Sequence, residues 1–433
     1  MRCTTNRNER GFSLVLTVLA GTFLSILAYA TVSLVVVDNS LATRQYQATQ
    51  ALWLAESGVE LAYRWLRYQD PPPGGTEPFV KYNEVPAGPG TYSVTIDPDD
   101  GNTSTYLKKY RLIATGKVDD VVRQIEVEVK TTTFNKYAYL TGDEGGTIWF
   151  TSGDTLEGPV HSNDQISIVN HPVFMGKVTS TANSFNQGWP FNPEFQDGYQ
   201  LGVPPVVFPT SQDVIDNYWA NNTDPPKLII DARFGKKASI KFRPDGTLVY
   251  SIWYWQNGNK VYVVQDKVET VSSLDGFIFV KGSVRVKGVL DGVVTITATR
   301  NIIITDDLVY EMSDAEGKPL PGCDDMLGLI SIKNTIIADN AANRNDVRIN
   351  AAILALGTSF TVQNYDSGSP RGDLTIWGSL SQKVRGPVGT FGWWGYTGYK
   401  KDYHYDNRFL NQAPPYFPTT GQYDFNYWKE ITD

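Results

Sequence analysis

The first strong pattern in the sequence is an uncharged run over residues 12–37, FSLVLTVLAGTFLSILAYATVSLVVV. A membrane-spanning helix needs about 20 mostly apolar residues, so this run is long enough to cross a bilayer. Arginines precede it, and the first charged residue after it is Asp38. Basic flanks stay in the cytoplasm, which predicts one membrane helix, from Phe12 through Leu16 to Val37, with the N-terminus inside.

Beyond this run the pattern becomes amphipathic. Apolar residues recur mostly at spacings of three and four, at Ala48, Ala51, Leu52, Ala55, Val59, Ala62 and Leu66. Such spacing places them on one face of a helix. No proline occurs before Pro71. One continuous helix is therefore predicted over residues 12–68, about 85 Å long at about 1.5 Å per residue.

A cleaved secretory signal is the rival interpretation of the N-terminus. The sequence Ala28-Tyr29-Ala30 has the small-x-small form of a cleavage site. A signal peptide has an apolar region of about 7–15 residues, however, and the run here continues well past that length. The amphipathic extension also favours a retained helix.

Residues 69–135 predict a small antiparallel sheet packed on the helix. Segments 91–96, 109–118 and 123–131 alternate between apolar and polar residues and are separated by turn residues. This arrangement is typical of a meander. Its apolar face is expected to cover the second half of the helix.

Residues 136–400 contain short β-branched runs separated by Gly, Asn and Asp. These favour an irregular right-handed β-helix, or solenoid, with a β-sandwich as the alternative. An insertion is predicted at about residues 181–273, with a short helix at 211–222. Residues 401–433 are rich in aromatics and predict a tail or a cap. The predicted class is α+β.

Composition narrows the possible functions. The net charge is −8 and only 19% of residues are charged, which argues against a nucleic-acid-binding protein. The cysteines are Cys3 and Cys323. Removal of a leader that contains Cys3 leaves no pair, so no internal disulfide is expected.

Two motifs in the helical region carry a family resemblance. The sequence Arg10-Gly11-Phe12-Ser13-Leu14 resembles the processing site of type IV prepilins, and residues 55–60, AESGVE, resemble the helix signature of PilX-type minor pilins. The resemblance implies a leader at residues 1–11, cleavage between Gly11 and Phe12 by a prepilin peptidase, methylation of the new amino group and packing in a filament core.

The sequence departs from the major pilins at one position. Those proteins carry Glu at the fifth mature residue, which here is Leu16. A subunit without this Glu forms one ion pair fewer with its neighbour, and within the family such subunits tend to be minor or tip components. Residues 158–163, 378–388, 398–406 and 414–418 also resemble an uncharacterised domain often fused to PilX-like N-termini in bacterial surface proteins.

Candidate chemistry is sparse in the exported region. Carboxylates at Asp306, Asp307, Asp324 and Asp325 are weak candidates for calcium binding, because oxygen-rich loops outside the cell can hold this ion. Asp306 and Asp307 also resemble the paired acids of glycosidases. No catalytic residue is assigned, no other cofactor is expected, and the chain is not predicted to be an enzyme.

The sequence therefore predicts a minor pilin or pilus-associated surface protein of the cytoplasmic membrane, later displayed on the cell surface or a pilus. Its expected partners are other pilins, prepilin peptidase, membrane lipid and, at the surface, carbohydrate or other ligands. The first alternative is a tip pseudopilin of a type II secretion system. The second is a membrane-anchored, carbohydrate-active β-helix enzyme.

Overall fold

The computed structural model describes residues 9–69, 72–100, 108–210, 214, 227–392 and 395–431, with the side chains of the first helix described from Phe12 onwards. In these residues the chain has the long α-helix α1 (Glu9–Arg67), an α-helical Val214, and short 3₁₀ turns at Phe134–Lys136, Val271–Leu274, Ala342–Arg344 and Asn407–Leu410. Contacts divide it into two compact units: a helix unit, Met1–Lys130 with Tyr423–Asp433, and a β-unit, Thr131–Gln422.

The strands in the first half of the chain are β1 (Phe79–Ala87), β2 (Gly90–Pro98), β3 (Lys109–Val118), β4 (Val121–Thr133), β5 (Tyr139–Asp143), β6 (Trp149–Phe150), β7 (Thr155–Leu156), β8 (Val160–Ser162), β9 (Ser167–Asn170), β10 (Val173–Phe174), β11 (Val178–Ser180), β12 (Asn186–Phe191), β13 (Glu194–Phe195) and β14 (Tyr199–Leu201).

Those in the second half are β15 (Leu228–Ala232), β16 (Lys237–Phe242), β17 (Thr247–Gln256), β18 (Asn259–Thr270), β19 (Phe277–Gly282), β20 (Val284–Leu290), β21 (Val293–Ala298), β22 (Ile302–Tyr310), β23 (Met326–Ser331), β24 (Thr335–Ile337), β25 (Val347–Ala355), β26 (Phe360–Val362), β27 (Pro370–Val384), β28 (Gly389–Gly392), β29 (Gly395–Tyr405) and β30 (Thr419–Ile431). The predicted α+β class, with one long helix, a small antiparallel sheet and a large mainly-β region, is confirmed.

In the helix unit, the second half of α1 packs on a five-stranded sheet of order β1-β2-β3-β4-β30. The buried apolar side chains of the helix are Ala51, Leu54, Ala55, Val59, Ala62 and Leu66. Their spacing follows the helical period, so they face the sheet together. The predicted amphipathic face is present, although Ala48 and Leu52 are only partly buried.

Two glycines allow the helix and sheet to approach closely. A Cβ atom on Gly116 of β3 would lie 1.9 Å from the carbonyl oxygen of Ala51, and one on Gly58 of α1 would lie 2.8 Å from Val94. Glycine in a helix interior costs about 1 kcal/mol relative to alanine. At Gly58 the close packing of Tyr92 and Val94 offsets that cost.

The fifth strand of this sheet comes from the C-terminal end of the chain, which the sequence analysis did not foresee. Strand β30 runs antiparallel to β4: Arg123 pairs with Glu430, and the Tyr427 hydroxyl donates to Glu126. Tyr423 is buried in the core of the helix unit. The predicted tail or cap, residues 401–433, is thus divided between the two units.

The β-unit consists mainly of parallel ladders in which each strand pairs with the strand one coil away. One ladder has the order β14-β11-β8-β5-β27-β25-β23-β21-β19-β15, and a second contains β16, β20, β22, β24 and β26. Stacked parallel coils are the strand pattern of a solenoid, whereas a β-sandwich has antiparallel sheets. The right-handed sense of the coil stays a prediction.

The chain enters this stack in its middle. Strand β5 lies between β8 and β27, so the first coils extend away from β5 on one side. The later coils begin at β15, at the far end of the ladder, and finish with β27 paired to β5 and β29 paired to β7. The last coil therefore closes against the first.

Parts of the predicted insertion at residues 181–273 belong to the stack. Strands β12 to β16 join parallel ladders, and the antiparallel hairpin β17–β18 extends from β16. The predicted helix at 211–222 lies, apart from Val214, outside the described residues. The local composition of these segments did not indicate that they continue the same parallel ladders.

Several strands of the β-unit are buried on both faces, which explains their unbroken apolar sequences. Strand β23, MLGLIS, is fully buried. Ile330 on it belongs to an outer apolar cluster with Val206, Phe409 and Phe417, while Leu329 belongs to the interior cluster. Chain segments near Val206 and between Phe409 and Phe417 thus cover the outer face of this ladder.

Candidate functional site

The first half of α1 is the most unusual surface in the described residues. Its large apolar side chains over residues 12–37 are between 51% and 78% exposed. No charged side chain interrupts this surface. Exposed apolar area costs about 25 cal/mol per Å² relative to burial, so this cylinder needs a surrounding apolar medium.

The helix continues without interruption from this surface into the core of the helix unit. Its part from Phe12 to Arg67 includes a window of mean hydropathy 2.0 with none of its residues buried. Length and composition thus suffice for one membrane crossing. The predicted continuity through Asp38 is present, since α1 runs from Glu9 to Arg67.

The predicted processing residues lie near the N-terminal edge of the described part of this helix. The Gly11–Phe12 bond lies within α1 (Glu9–Arg67), and residues 1–8 lie outside the described part. Both Phe12 and Leu16 are exposed.

The four calcium candidates do not form one set of ligands, because three of them contact different partners. The Asp306 carboxylate lies 3.1 Å from Lys287 Nζ, and the Asp307 carboxylate lies 3.2 Å from Arg348. The buried Asp325 carboxylate accepts hydrogen bonds from the backbone N–H groups of Gly292 and Met312, and Asp324 is exposed. In the described part of the chain, no group of three His, Cys, Asp or Glu residues is arranged to hold a metal ion.

The β-unit also has an open cleft of about 470 Å³, which the sequence analysis missed. It is lined by Asp314, Ala315, Glu316, Lys318, Asp346, Arg348, Asp373, Thr375, Trp377, Asp402 and His404. Neighbouring strands bring Asn350, Trp377 and His404 into one row. In the sequence, this row corresponds to polar and aromatic residues that recur every 27 positions, as between Thr375 and Asp402. That recurrence could have predicted the row.

His404 in this cleft lies between two carboxylates. Its Nε2 is 2.9 Å from Asp402 Oδ1, its Nδ1 is 3.1 Å from Glu157 Oε1, and its ring stacks on Trp377. Burial alone would lower the pKa of His404, but the contacts with Asp402 and Glu157 outweigh burial and raise the pKa above its usual 6.5. His404 and Asp402 are thus engaged with each other within the cleft.

The His404 contacts predict a pH-dependent stability. Because the folded state raises the pKa of His404, protonation favours folding. The stabilisation is complete below the unfolded pKa of about 6.5 and is lost as the pH rises through the folded pKa. Melting temperatures of the wild type and of His404→Gln should differ more near pH 5.5 than near pH 8.5. A difference that is the same at both pH values contradicts this assignment.

Comparison with known proteins gives limited information. Residues 105–182 match a family model described as a domain of unknown function, DUF4900. No curated protein matches the chain. Among solved structures, the competence-associated pilin ComZ from Thermus thermophilus aligns with a TM-score of 0.31 and 12% identity, covering 89% of this chain and 97% of that one. A similarity this slight is no basis for an inference about function.

Proposed function

We propose that the chain is a minor pilin or a type IV pilus-associated surface protein. The observation that carries the proposal is α1 itself. Its first half is an uncharged, exposed cylinder, and its second half is the packed helix of a folded unit. The cylinder requires lipid before assembly and apolar neighbouring helices afterwards.

The order of the apolar and packed halves of α1 and of the β-unit suggests how the subunit is inserted, processed and assembled. The helix inserts in the cytoplasmic membrane with its N-terminus inside, is cleaved between Gly11 and Phe12, and is then transferred into a filament. Other pilins are its partners there, and prepilin peptidase acts before them. The β-unit spans Thr131–Gln422, so a filament subunit displays it sparsely or at the tip.

The prepilin-like motif around Gly11 and the PilX-like motif at residues 55–60 support this route over a plain membrane anchor. A plain anchor needs neither a processing site nor a helix that extends far beyond the bilayer. Leu16 supports a minor role, because it leaves the mature subunit without the carboxylate that major pilins carry at this position.

Replacing Leu24 with arginine tests the proposal. Leu24 lies near the centre of the apolar run and is exposed. A charged residue at the centre of a membrane helix costs about 2.5–3.5 kcal/mol on insertion scales. We expect Leu24→Arg to be depleted from the carbonate-resistant membrane fraction and to be absent from sheared surface filaments.

Leu41→Arg is the matched control. Leu41 belongs to the same helix and is also exposed, but it lies beyond Asp38 and outside the uncharged run. This variant should insert and enter filaments like the wild type. Equal membrane insertion and filament content of Leu24→Arg and Leu41→Arg contradicts the proposed role of the helix.

A further inference from the structure

The interior of the β-unit contains four charged side chains at the point where the last coil closes against the first. Arg385 Nη1 lies 2.7 Å from Glu144 Oε2, and Lys401 Nζ lies 2.8 Å from Asp154 Oδ2. The side chains of Asp154 and Lys401 are only 8% and 16% exposed. Buried charges are rare and costly, so these pairs require an explanation.

The Lys401–Asp154 pair is enclosed beside an aromatic ring and the buried Arg385. Lys401 Nζ is 5.3 Å from the centre of the Phe150 ring, and Arg385 covers the same ring at 3.8 Å. Burial, together with the charge of Arg385, lowers the pKa of Lys401 despite the neighbouring Asp154. A buried lysine with a lowered pKa is a nucleophile, because its neutral amine has a free electron pair.

We propose that Lys401 and Asp154 form an intramolecular amide cross-link. The carboxyl group is held for this reaction, because the backbone N–H of Thr151 donates to Asp154 Oδ2 at 3.0 Å. The amine and the carboxyl are already in contact and shielded from bulk water. Fixed proximity of two reactants replaces a bimolecular encounter and accounts for a large part of many reaction barriers.

The proposed condensation of Lys401 with Asp154 balances in atoms and charge and requires neither an oxidant nor a cofactor. One ammonium proton moves to the Asp154 carboxylate, and the electron pair of Nζ attacks Cγ to form the N–C bond. The C–Oδ1 bond breaks, and this oxygen leaves as water with the transferred proton and a second proton from nitrogen. The third proton stays on the amide, and Oδ2, held by Thr151, becomes the amide oxygen.

Burial distinguishes this pair from other Lys–Asp contacts. Lys227 Nζ lies only 2.6 Å from Asp275 Oδ2, but their side chains are 55% and 56% exposed. Water solvates both groups of that pair, so the shielding that the reaction needs is absent. Lys227 and Asp275 therefore serve as an internal control with the same chemistry and a shorter distance.

The cross-link would close the stack of coils covalently. It joins residues 247 positions apart, tying β29 of the last coil to the chain just before β7 of the first. A covalent clamp at this junction prevents the two runs of coils from separating under load. A surface-exposed protein benefits from such a bond because it does not depend on the redox state of its surroundings.

Peptide mass spectrometry of the full chain, extracted in detergent and fully denatured before trypsin digestion, tests the proposal. Trypsin should release residues 137–177, which contain Asp154, joined to residues 401–408, because it does not cleave after a modified lysine. The joined species should be about 18 Da lighter than the sum of its two peptides, the mass of one water. Complete recovery of the separate peptides 137–177 and 402–408 from folded protein overturns the proposal.

Two variants test whether Lys401 and Asp154 are the residues that form the bond. Asp154→Asn should give a joined species of the same mass as the wild type, since ammonia leaves instead of water and the product is identical. Lys401→Arg should give none, and melting curves establish whether it is folded. A joined species in Lys401→Arg, or a bond between Lys227 and Asp275 in the wild type, contradicts the assignment to a buried Lys401–Asp154 pair.

Discussion

Replacing Glu144 with leucine is expected to lower the free energy of unfolding of the β-unit by about 3–5 kcal/mol. Glu144 and Arg385 are 2% and 1% exposed, and their side chains meet at 2.7 Å. The Glu144 carboxylate also accepts hydrogen bonds from the hydroxyls of Thr141 and Ser162. Its removal leaves the Arg385 guanidinium buried without a counter-charge.

Urea denaturation of the detergent-extracted chain, followed by tryptophan fluorescence, measures this loss. The double variant Glu144→Leu/Arg385→Met should recover most of it, because replacing both members of a buried pair with apolar residues is often neutral or stabilising. Lys227→Met, which removes an exposed pair at 2.6 Å, should change stability by only about 0–1 kcal/mol. Equal effects of Glu144→Leu and Lys227→Met contradict the interpretation of Arg385–Glu144 as a structural pair.

Replacing Gly11 with valine is expected to abolish processing, so that the full precursor accumulates. The bond to be cleaved follows Gly11 and lies within α1 (Glu9–Arg67). A protease requires an extended, accessible backbone, and glycine adopts such a conformation without a side chain in the way. Valine adds a branched side chain next to the bond. Immunoblots of membrane fractions distinguish the precursor from the mature chain.

Gly21→Val is the matched control for this substitution. Gly21 belongs to the same helix, and a Cβ atom there would have nothing within 4 Å. Gly21→Val should be processed like the wild type, because it changes neither the motif nor any contact. Normal maturation of Gly11→Val, or a precursor that accumulates equally in both variants, contradicts processing at Gly11.

Local patterns in the sequence predicted the helix unit well. The predicted strand at 109–118 coincides with β3 (Lys109–Val118), and the long helix differs from its prediction only at the ends. Both depend on periodicities that can be read within a short window. Strand β1 (Phe79–Ala87) was not among the predicted strands. Strand β30 was missed because its partner β4 lies about three hundred positions earlier, and an aromatic-rich tail contains no local signal for that pairing.

The same limit applies to the interior of the β-unit. Arg385 and Glu144 are separated by 241 positions, and each looks like an ordinary charged loop residue in its own segment. Asp325 was considered a calcium candidate because it lies in an acidic stretch, whereas its carboxylate accepts backbone hydrogen bonds in the fold. Such roles depend on which coils become neighbours, and local composition does not specify that order.

The identity of the mature N-terminus tests the filament assignment most directly. Mass spectrometry of the chain isolated from its native membrane or from surface filaments should find Phe12 as the first residue, carrying a methyl group on its amine. A chain that begins at Thr31, after the Ala28-Tyr29-Ala30 motif, is an ordinary secreted protein and has lost the helix on which the account rests. A mature chain that begins at Met1 equally contradicts the account, because it is a membrane anchor that never entered the pilin route.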